Sequence, residues 1–438
     1  MNNFLPIQDK KIGILGAGSS GLAAAELAYK LGANVFISDF NKKDKIKIEG
    51  IESEFGKHSD KILDSDFIIK SPGISRKSKI MKNIFNSSIP IVSELEFASW
   101  FTKSFIIALT GTNGKTTTVE LINNILKDYG LETFLGGNIG IPFSKNVLDE
   151  INNKNNQKYN FHILEVSSFQ LEDIKYFKPN ISIILNVTPD HLDRYNSFED
   201  YLNTKLNILI NQDKECHAII NNNDVNISNK QYSANIIKFS FSDDNKIIIS
   251  NSGKFINTGA TKLLGYHNYK NIAVASIVSN LCGVKEGSMI NSINNFSPLP
   301  HRLEKINIKS DKNYYNDSKA TNLSATLAAI ESMNNNIILI LGGIDKNNSD
   351  FSILKNYSNK IKNIILYGES RNDIKNKISH FFTLFIYKNF KDAVKKSIKL
   401  AKSKDNILLS PACTSFDQFN SYKERGDYFK KIILREYE

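Results

Sequence analysis

The run Gly111-Thr112-Asn113-Gly114-Lys115-Thr116-Thr117 stands directly behind the apolar stretch Phe105–Thr110 and ahead of a segment with helical periodicity reaching about Tyr129. Few local patterns restrict a chain more. A buried strand, a glycine turn and a helix start bring backbone N–H groups and the positive end of a helix dipole to one point, which is the arrangement that binds phosphate. Lys115 is then placed to hold β- and γ-phosphates, and Thr116 to offer its hydroxyl to Mg2+. The longer form of such a loop starts with glycine where this chain has Leu109, so the shorter G-x-x-G-K-T form is present. A nucleoside triphosphate is the expected ligand, on Gly111, Thr112, Asn113, Gly114, Lys115, Thr116 and Thr117.

A second glycine turn, Gly16-Ala17-Gly18-Ser19-Ser20-Gly21, follows the strand-like run Lys11–Leu15 and opens an Ala/Leu-rich helix. The next strand, Val35–Ser38, ends at Asp39, so the pattern matches a dinucleotide-binding fingerprint with a carboxylate for a ribose. The turn admits any diphosphate-linked nucleoside: NAD and a nucleoside-diphosphate sugar fit it equally.

Further strands are expected at 162–166, 181–187, 314–316, 337–341, 364–367 and 407–409, separated by helical segments. Strands alternating with helices predict parallel sheets covered by helices, with ligands beyond the C-terminal strand ends. At 438 residues the chain is long enough for more than one domain. The expected class is α/β with three domains: a Rossmann-like N-terminal domain over residues 1–96, a central P-loop ATPase domain with a mostly parallel sheet over 97–299, and a C-terminal Rossmann-like domain over 300–438. Stretches near Glu94–Ser99 and Ser297–Pro300 mark the boundaries, and the polar run Asn152–Lys158 reads as a surface loop.

The formal charge of +11 suits a polyanion, but the excess is Lys dispersed among Asn and Ile. No nucleic-acid partner is expected. The three cysteines are far apart and fit neither a disulfide framework nor a zinc spacing, which favours a reducing compartment. No signal segment or membrane span is apparent, so a cytoplasmic protein without a membrane partner is expected.

Several strand ends carry chemistry. Glu165 can hold a second oxygen to Mg2+. His191 follows the next strand in Asn186–Arg194, where a structural and a functional role are equally compatible with a lone His. Lys205 lies in a helix starting near Ser197. In the C-terminal third, Arg302 is a planar donor fork for phosphate or carboxylate, Asp317 is an acceptor at a strand end, and either Thr321 or Asn322 caps the following helix. The loops Gly342–Lys346 and Ser410–Phe419 each close a strand, and together these loops favour a second anionic ligand.

Gly111–Thr117, Gly136–Gly140, Glu165–Glu172, Asn186–Tyr195, His267–Asn271, His301–Glu304, Asn316–Asn322 and Ser410–Phe419 together resemble the Mur ligases, in unbroken order from about Lys11 to the C-terminus. The runs at Ser167, Asn316 and Cys413 are most similar to those of the members that add D-glutamate. The resemblance implies ATP-driven amide formation between D-glutamate and UDP-N-acetylmuramoyl-L-alanine through an acyl phosphate, in peptidoglycan precursor synthesis. It implies that Lys115, Glu165, His191 and Lys205 are catalytic. ATP would also contact Asn271, Arg302 and Asp317. The UDP substrate would lie on Gly16, Gly18, Ser19, Ser20, Asp39, Ser71, Gly73 and Asn138, in place of NAD. D-Glutamate would meet Lys319, Thr321, Lys346, Ser415 and Tyr422. A pair of Mg2+ ions would be held by Thr116, Glu165, His191 and a carbamylated Lys205. A monomer is expected. The stretch Asn347-Asn348-Ser349 is longer than the family pattern and predicts a displaced Lys346 loop; Tyr422 stands where the family often has Phe.

The alternatives are an oxidoreductase using the first glycine turn, a nucleic-acid-stimulated ATPase, and a sibling ligase taking another amino acid.

Overall fold

The computed structural model describes residues 6–42, 48–153, 160–191, 194–241, 247–249, 255–256, 261–263, 265–346 and 348–437. The stretch read as a loop over Asn152–Lys158 lies outside them from residue 154 on. The chain forms two compact units, one of Met1–Val187, Ser197–Asn257 and Ile272–Ser292, the other of Thr188–Asn196, Thr258–Asn271 and Ile293–Glu438.

The first unit holds two sheets. One has five parallel strands in the spatial order Glu52–Phe55, Asn34–Asp39, Lys11–Leu15, Phe67–Lys70, Ile91–Ser93. The helix Ser19–Lys30 buries Ala23, Ala24, Ala25, Leu27 and Ala28. Small side chains on that face let a helix lie close to a neighbouring surface. The order in which strands are added reverses between the parallel strands Lys11–Leu15 and Phe67–Lys70, so the turn at Gly16 and the loop at Ser71–Gly73 share the crevice where doubly wound sheets take ligands.

The other sheet has eight strands, ordered Phe255–Ile256, Ile247–Ile249, Asn235–Phe241, His217–Asn221, Ile181–Ile184, Phe105–Thr110, Asn160–Glu165, Glu132–Gly137. Its inner pairs are parallel, and the first three strands form an antiparallel edge. The strand Phe105–Thr110 lies between Asn160–Glu165 and Ile181–Ile184. Three neighbouring strand ends thus deliver Gly111, Glu165 and Asn186 to one rim.

The helix Glu94–Ser99, at a position read from sequence as a boundary, starts from Ser93, whose side chain accepts from Glu96 N. Such a cap contributes about 1 kcal/mol. Glu96 is buried and its carboxylate accepts from Trp100 Nε1 and from the backbone N–H groups of Lys175, Tyr176 and Phe177. Those bonds fasten the helix to the loop after Glu172, and both sheets belong to one compact unit.

In the second unit, six strands run Glu304–Lys305, Asn313–Asn316, Asn406–Leu409, Ile337–Gly342, Ile361–Tyr367, Leu384–Ile386, parallel except at Glu304–Lys305. One face packs Leu339, Leu341, Leu366 and Leu408. The other packs Ile338, Ile340, Ile365 and Leu409. Alternating burial on both sides is what near-continuous apolar strands under two helical layers require. The α/β class with mainly parallel sheets is as the alternation of elements predicts. The expected strand 181–187 is shorter, ending at Ile184.

Candidate active site

The helix Lys115–Asp128 begins at Gly114, which has φ 84 and therefore a conformation that glycine adopts without strain. Lys115 Nζ donates to Gly111 O at 2.9 Å and Thr112 O at 3.0 Å, folding the side chain over its own loop. Asn186 clamps the loop from the neighbouring strand end: its Oδ1 accepts from Asn113 N at 2.9 Å, its Nδ2 donates to Asn113 O at 3.0 Å, and its backbone oxygen accepts from Thr112 N at 2.9 Å. Thr112 Oγ1 lies 3.1 Å from Tyr201 OH. These contacts hold a turn whose backbone donors would otherwise sample many orientations.

Glu165 is 3% exposed. Its Oε2 accepts from Thr116 Oγ1 at 2.7 Å and its Oε1 from Asn138 Nδ2 at 2.9 Å. Asn138, expected beside the UDP substrate, thus has its amide on the carboxylate next to the phosphate loop. Among the described residues no three His, Cys, Asp or Glu side chains converge on a metal position. A hydroxyl and one carboxylate are nonetheless a fitting donor set for Mg2+, which takes oxygen ligands, keeps several waters and completes its shell with substrate phosphates.

Lys205, in the helix Phe198–Leu206, is 2% exposed. Its ammonium donates to Gly111 O at 2.9 Å and lies 4.8 Å from the centroid of the Tyr201 ring. Nothing in the local sequence marks Tyr201, whose ring and hydroxyl serve Lys205 and Thr112 together.

At the other sheet of this unit, Asp39 Oδ2 accepts from Ala17 N at 2.7 Å and Oδ1 from Asn41 N at 2.8 Å. Ser71 Oγ donates to Gly16 O at 2.9 Å. A Cβ on Gly21 would stand 1.9 Å from Gly16 O, so helix and turn approach closely only with glycine there. Gly18, Ser19 and Gly73 are exposed and Ser20 half-buried at the same strand ends. Beside them Lys70, 1% exposed, meets Glu172 Oε2 at 3.2 Å and Asp173 Oδ2 at 3.0 Å, while Arg76 Nη2 reaches Asp173 Oδ1 at 2.7 Å. The Asp173 Oδ2 contact is an ion pair without hydrogen-bond alignment.

The second unit carries the remaining expected residues. His191 has φ 54, and its N–H donates to Asp190 Oδ1 at 2.9 Å. Asn322 Nδ2 reaches Asp190 Oδ2 at 3.4 Å, and its Oδ1 accepts from Ala325 N at 2.9 Å, making Asn322 the cap of the helix Leu323–Glu331. Asn271 Nδ2 donates to Asn268 Oδ1 at 3.0 Å, both side chains being buried. Asp317 accepts from Leu303 N at 3.1 Å and Ser410 Oγ at 2.8 Å, with Arg302 among its charged neighbours. Burial pushes its carboxyl up to about 7, against those bonds and the nearby guanidinium groups.

Lys319 Nζ lies 4.1 Å from the Tyr422 ring centroid and Lys346 Nζ 5.3 Å from that of Phe416. Ser415 is buried, and Thr321 is half-buried beside Asn322. Arg425, which the sequence reasoning missed, is fully buried: it donates to Ser318 Oγ and O, Tyr367 OH and Cys413 O at 2.8 to 3.1 Å. Nothing in the local sequence marks it, because its enclosure depends on Ser318, Tyr367 and Cys413, all outside its own helix.

Comparison with known proteins gives these arrangements a context. The Mur ligase middle domain matches residues 109–279, the Mur ligase glutamate ligase domain 301–413, and the MurD N-terminal domain 11–80. The UDP-N-acetylmuramoylalanine–D-glutamate ligase of Christiangramia forsetii is 40% identical over 448 residues, covering 97% of this chain and 99% of that protein. The chain belongs to the Mur ligase family. The ligase of the same description from Elusimicrobium minutum is also 40% identical, over 97% of each Mur ligase chain. Among solved structures, MurF ligase from Thermotoga maritima in complex with ADP has a TM-score of 0.62 at 15% identity, covering 98% of this chain and 96% of that one. The two Mur ligases share a fold. No helix among the described residues is long and apolar enough to cross a membrane.

Proposed function

We propose that this Mur ligase joins D-glutamate to UDP-N-acetylmuramoyl-L-alanine with hydrolysis of ATP to ADP and phosphate, a step of peptidoglycan precursor synthesis. Full-length similarity to ligases so described carries the reading, and the phosphate loop with Lys115, Thr116 and Glu165 supplies its chemistry. A free carboxylate is a poor acyl donor. Attack of the alanyl carboxylate on the γ-phosphate gives an acyl phosphate and ADP; the D-glutamate amine then adds to that carbonyl, and collapse of the tetrahedral adduct expels phosphate.

Lys115 and the loop N–H groups hold the phosphates in line and offset the charge that shifts toward the β-phosphate oxygens. Thr116 and Glu165 would hold one Mg2+, and His191 with a carbamylated Lys205 a second. Bound there, Mg2+ supplies charge neutralisation at the transferring phosphoryl group. As an ammonium Lys205 only donates, so a ligand role requires conversion to a carbamate, whose oxygens accept; the mass of the Lys205 peptide tests this. Asn271, Arg302 and Asp317 would serve ATP. Gly16, Gly18, Ser19, Ser20, Asp39, Ser71, Gly73 and Asn138 would serve the uridine-linked substrate, and Lys319, Thr321, Lys346, Ser415 and Tyr422 the amino acid. The reading includes domains over 1–96, 97–299 and 300–438, a cytoplasmic location and a monomer, the last open to light scattering.

The deciding experiment is phosphate release from ATP with UDP-N-acetylmuramoyl-L-alanine and a panel of amino acids. Release with D-glutamate alone is expected. Equal release with L-glutamate, or release only with another amino acid, would replace this reading by that of a sibling ligase.

A further inference from the structure

The backbone that carries Lys346 is joined to the loop after the strand Asn406–Leu409. Ile344 N donates to Thr414 O and Thr414 N to Ile344 O, each at 3.0 Å, and Thr414 Oγ1 donates to Ile344 O at 3.2 Å. A Cβ on Gly343 would fall 2.1 Å from Thr414 O, so this close pairing depends on a glycine. On the N-terminal side of Lys346, the Asp345 carboxylate accepts from Ser349 N at 2.7 Å and Ser349 Oγ at 2.9 Å.

The facing loop is equally fixed. Ser415 O accepts from Gln418 N and Phe419 N, and Asp417 Oδ2 accepts from Glu369 N at 3.1 Å. Between these anchors Phe416 is 62% exposed, and the ring it displays lies under Lys346 Nζ at 5.3 Å. Lone exposed aromatic residues are common and need no explanation in themselves. This one has a cation over its face, in the loop proposed to receive an amino acid with two carboxylates. The other lysine of that set, Lys319, likewise stands over a ring, that of Tyr422, at 4.1 Å.

We propose that Phe416 is a positioning residue for the incoming dicarboxylate: its ring face holds the Lys346 ammonium where a carboxylate of the amino acid meets it. A ring attracts an ammonium through its quadrupole, leaving N–H donors on the far side directed at an anion. The attraction at an exposed site corresponds to a factor of about two to five in an equilibrium, enough to bias a flexible lysine side chain toward one arrangement. The proposal rests on the D-glutamate ligase reading for its kinetic consequence, and not for the contact itself.

The test compares the full-length protein with Phe416→Leu, which keeps apolar volume and removes the ring, and Phe416→Tyr, which keeps the ring. Because Phe416 is exposed, both variants are expected to melt with the parent. Phe416→Leu is expected to raise KM for D-glutamate about threefold with KM for ATP unchanged, and Phe416→Tyr to restore it. A parallel measurement needs no turnover. After reductive 13C-methylation of lysines, the Lys346 signal, assigned with Lys346→Arg, is expected to be ring-current shifted in the parent and Phe416→Tyr and unshifted in Phe416→Leu. An unshifted parent signal, or an unchanged KM for D-glutamate in Phe416→Leu, overturns the proposal. Should the enzyme use a different amino acid, the ligase reading fails while the Lys346 signal still decides whether Phe416 holds the ammonium.

Discussion

Thr116 Oγ1 donates to Glu165 Oε2 at 2.7 Å, so the hydroxyl that opens the phosphate-loop helix and the carboxylate that ends the adjacent strand share one proton-mediated contact. With its hydrogen committed to Glu165, the hydroxyl oxygen keeps its lone pairs for an electropositive partner, as holding a divalent cation would require. Thr116→Ser preserves this and is expected to remain active. Thr116→Val removes it and is expected to raise the Mg2+ concentration for half-maximal turnover at least tenfold, roughly the loss of a charge-assisted contact. A Mg2+ titration of phosphate release checks both.

Lys115→Ala is expected to lower turnover by about a thousandfold, the scale on which cationic groups at a transferring phosphoryl act. Binding of the uridine-linked substrate, measured by calorimetry without ATP, should change less than about twofold, since all the residues proposed for it except Asn138 lie at the other sheet. Joint loss of both activities would contradict the assignment of the two glycine turns to different ligands.

Glu94 is buried, accepts from Ser144 N at 2.5 Å through Oε1, and among the described residues has no hydrogen-bond partner at Oε2. Burial pushes its carboxyl up to about 7. The folded protein therefore keeps a proton there that the unfolded chain releases near 4.5, and stability falls as pH rises between those values. Glu94→Gln has no such proton to lose. Its melting temperature is expected to exceed the parent's at pH 8 by more than at pH 4.5, with the difference levelling off above about pH 7; calorimetric scans across pH decide it.

Lys70→Met leaves Glu172 and Asp173 in a buried place without its ammonium. Breaking one side of such a cluster costs about 3 kcal/mol, whereas neutralising all of it is close to neutral. Guanidinium unfolding should show a large loss for Lys70→Met and recovery when Glu172→Gln and Asp173→Asn are added, the remaining Arg76 being half exposed and open to solvent.

The phosphate loop and the first glycine turn are legible in sequence because strand, turn and helix follow one another along the chain, and their periodicities and glycines are local. What clamps them is not. Asn186 reaches Asn113 across 73 residues and Tyr201 reaches Thr112 across 89. Neither residue type announces a partner so distant, and only the strand order brings the ends of Phe105–Thr110 and Ile181–Ile184 together. Asn138 illustrates the same limit: the glycines before it mark a turn, but that its amide lies on Glu165 depends on the pairing of Gly137 with that residue. The helix Glu94–Ser99 was legible as an interruption between two strand-turn-helix units, while the bonds from Glu96 to residues about 80 positions later were not. In the C-terminal third the residue types at strand ends pointed to an anion, and the choice of Asn322 over Thr321 as helix cap rests on its bond to Ala325 N, since either residue type can cap a helix.

Arg425 spans Ser318, Tyr367 and Cys413 with its guanidinium wholly enclosed. Three chain segments, two of them near residues proposed to meet the amino acid, are therefore stapled together by one enclosed side chain. If the amino acid is held there as proposed, it would meet a mould already set, so that little freedom is surrendered on capture and discrimination between near-identical guests would fall to shape at the mouth of the mould.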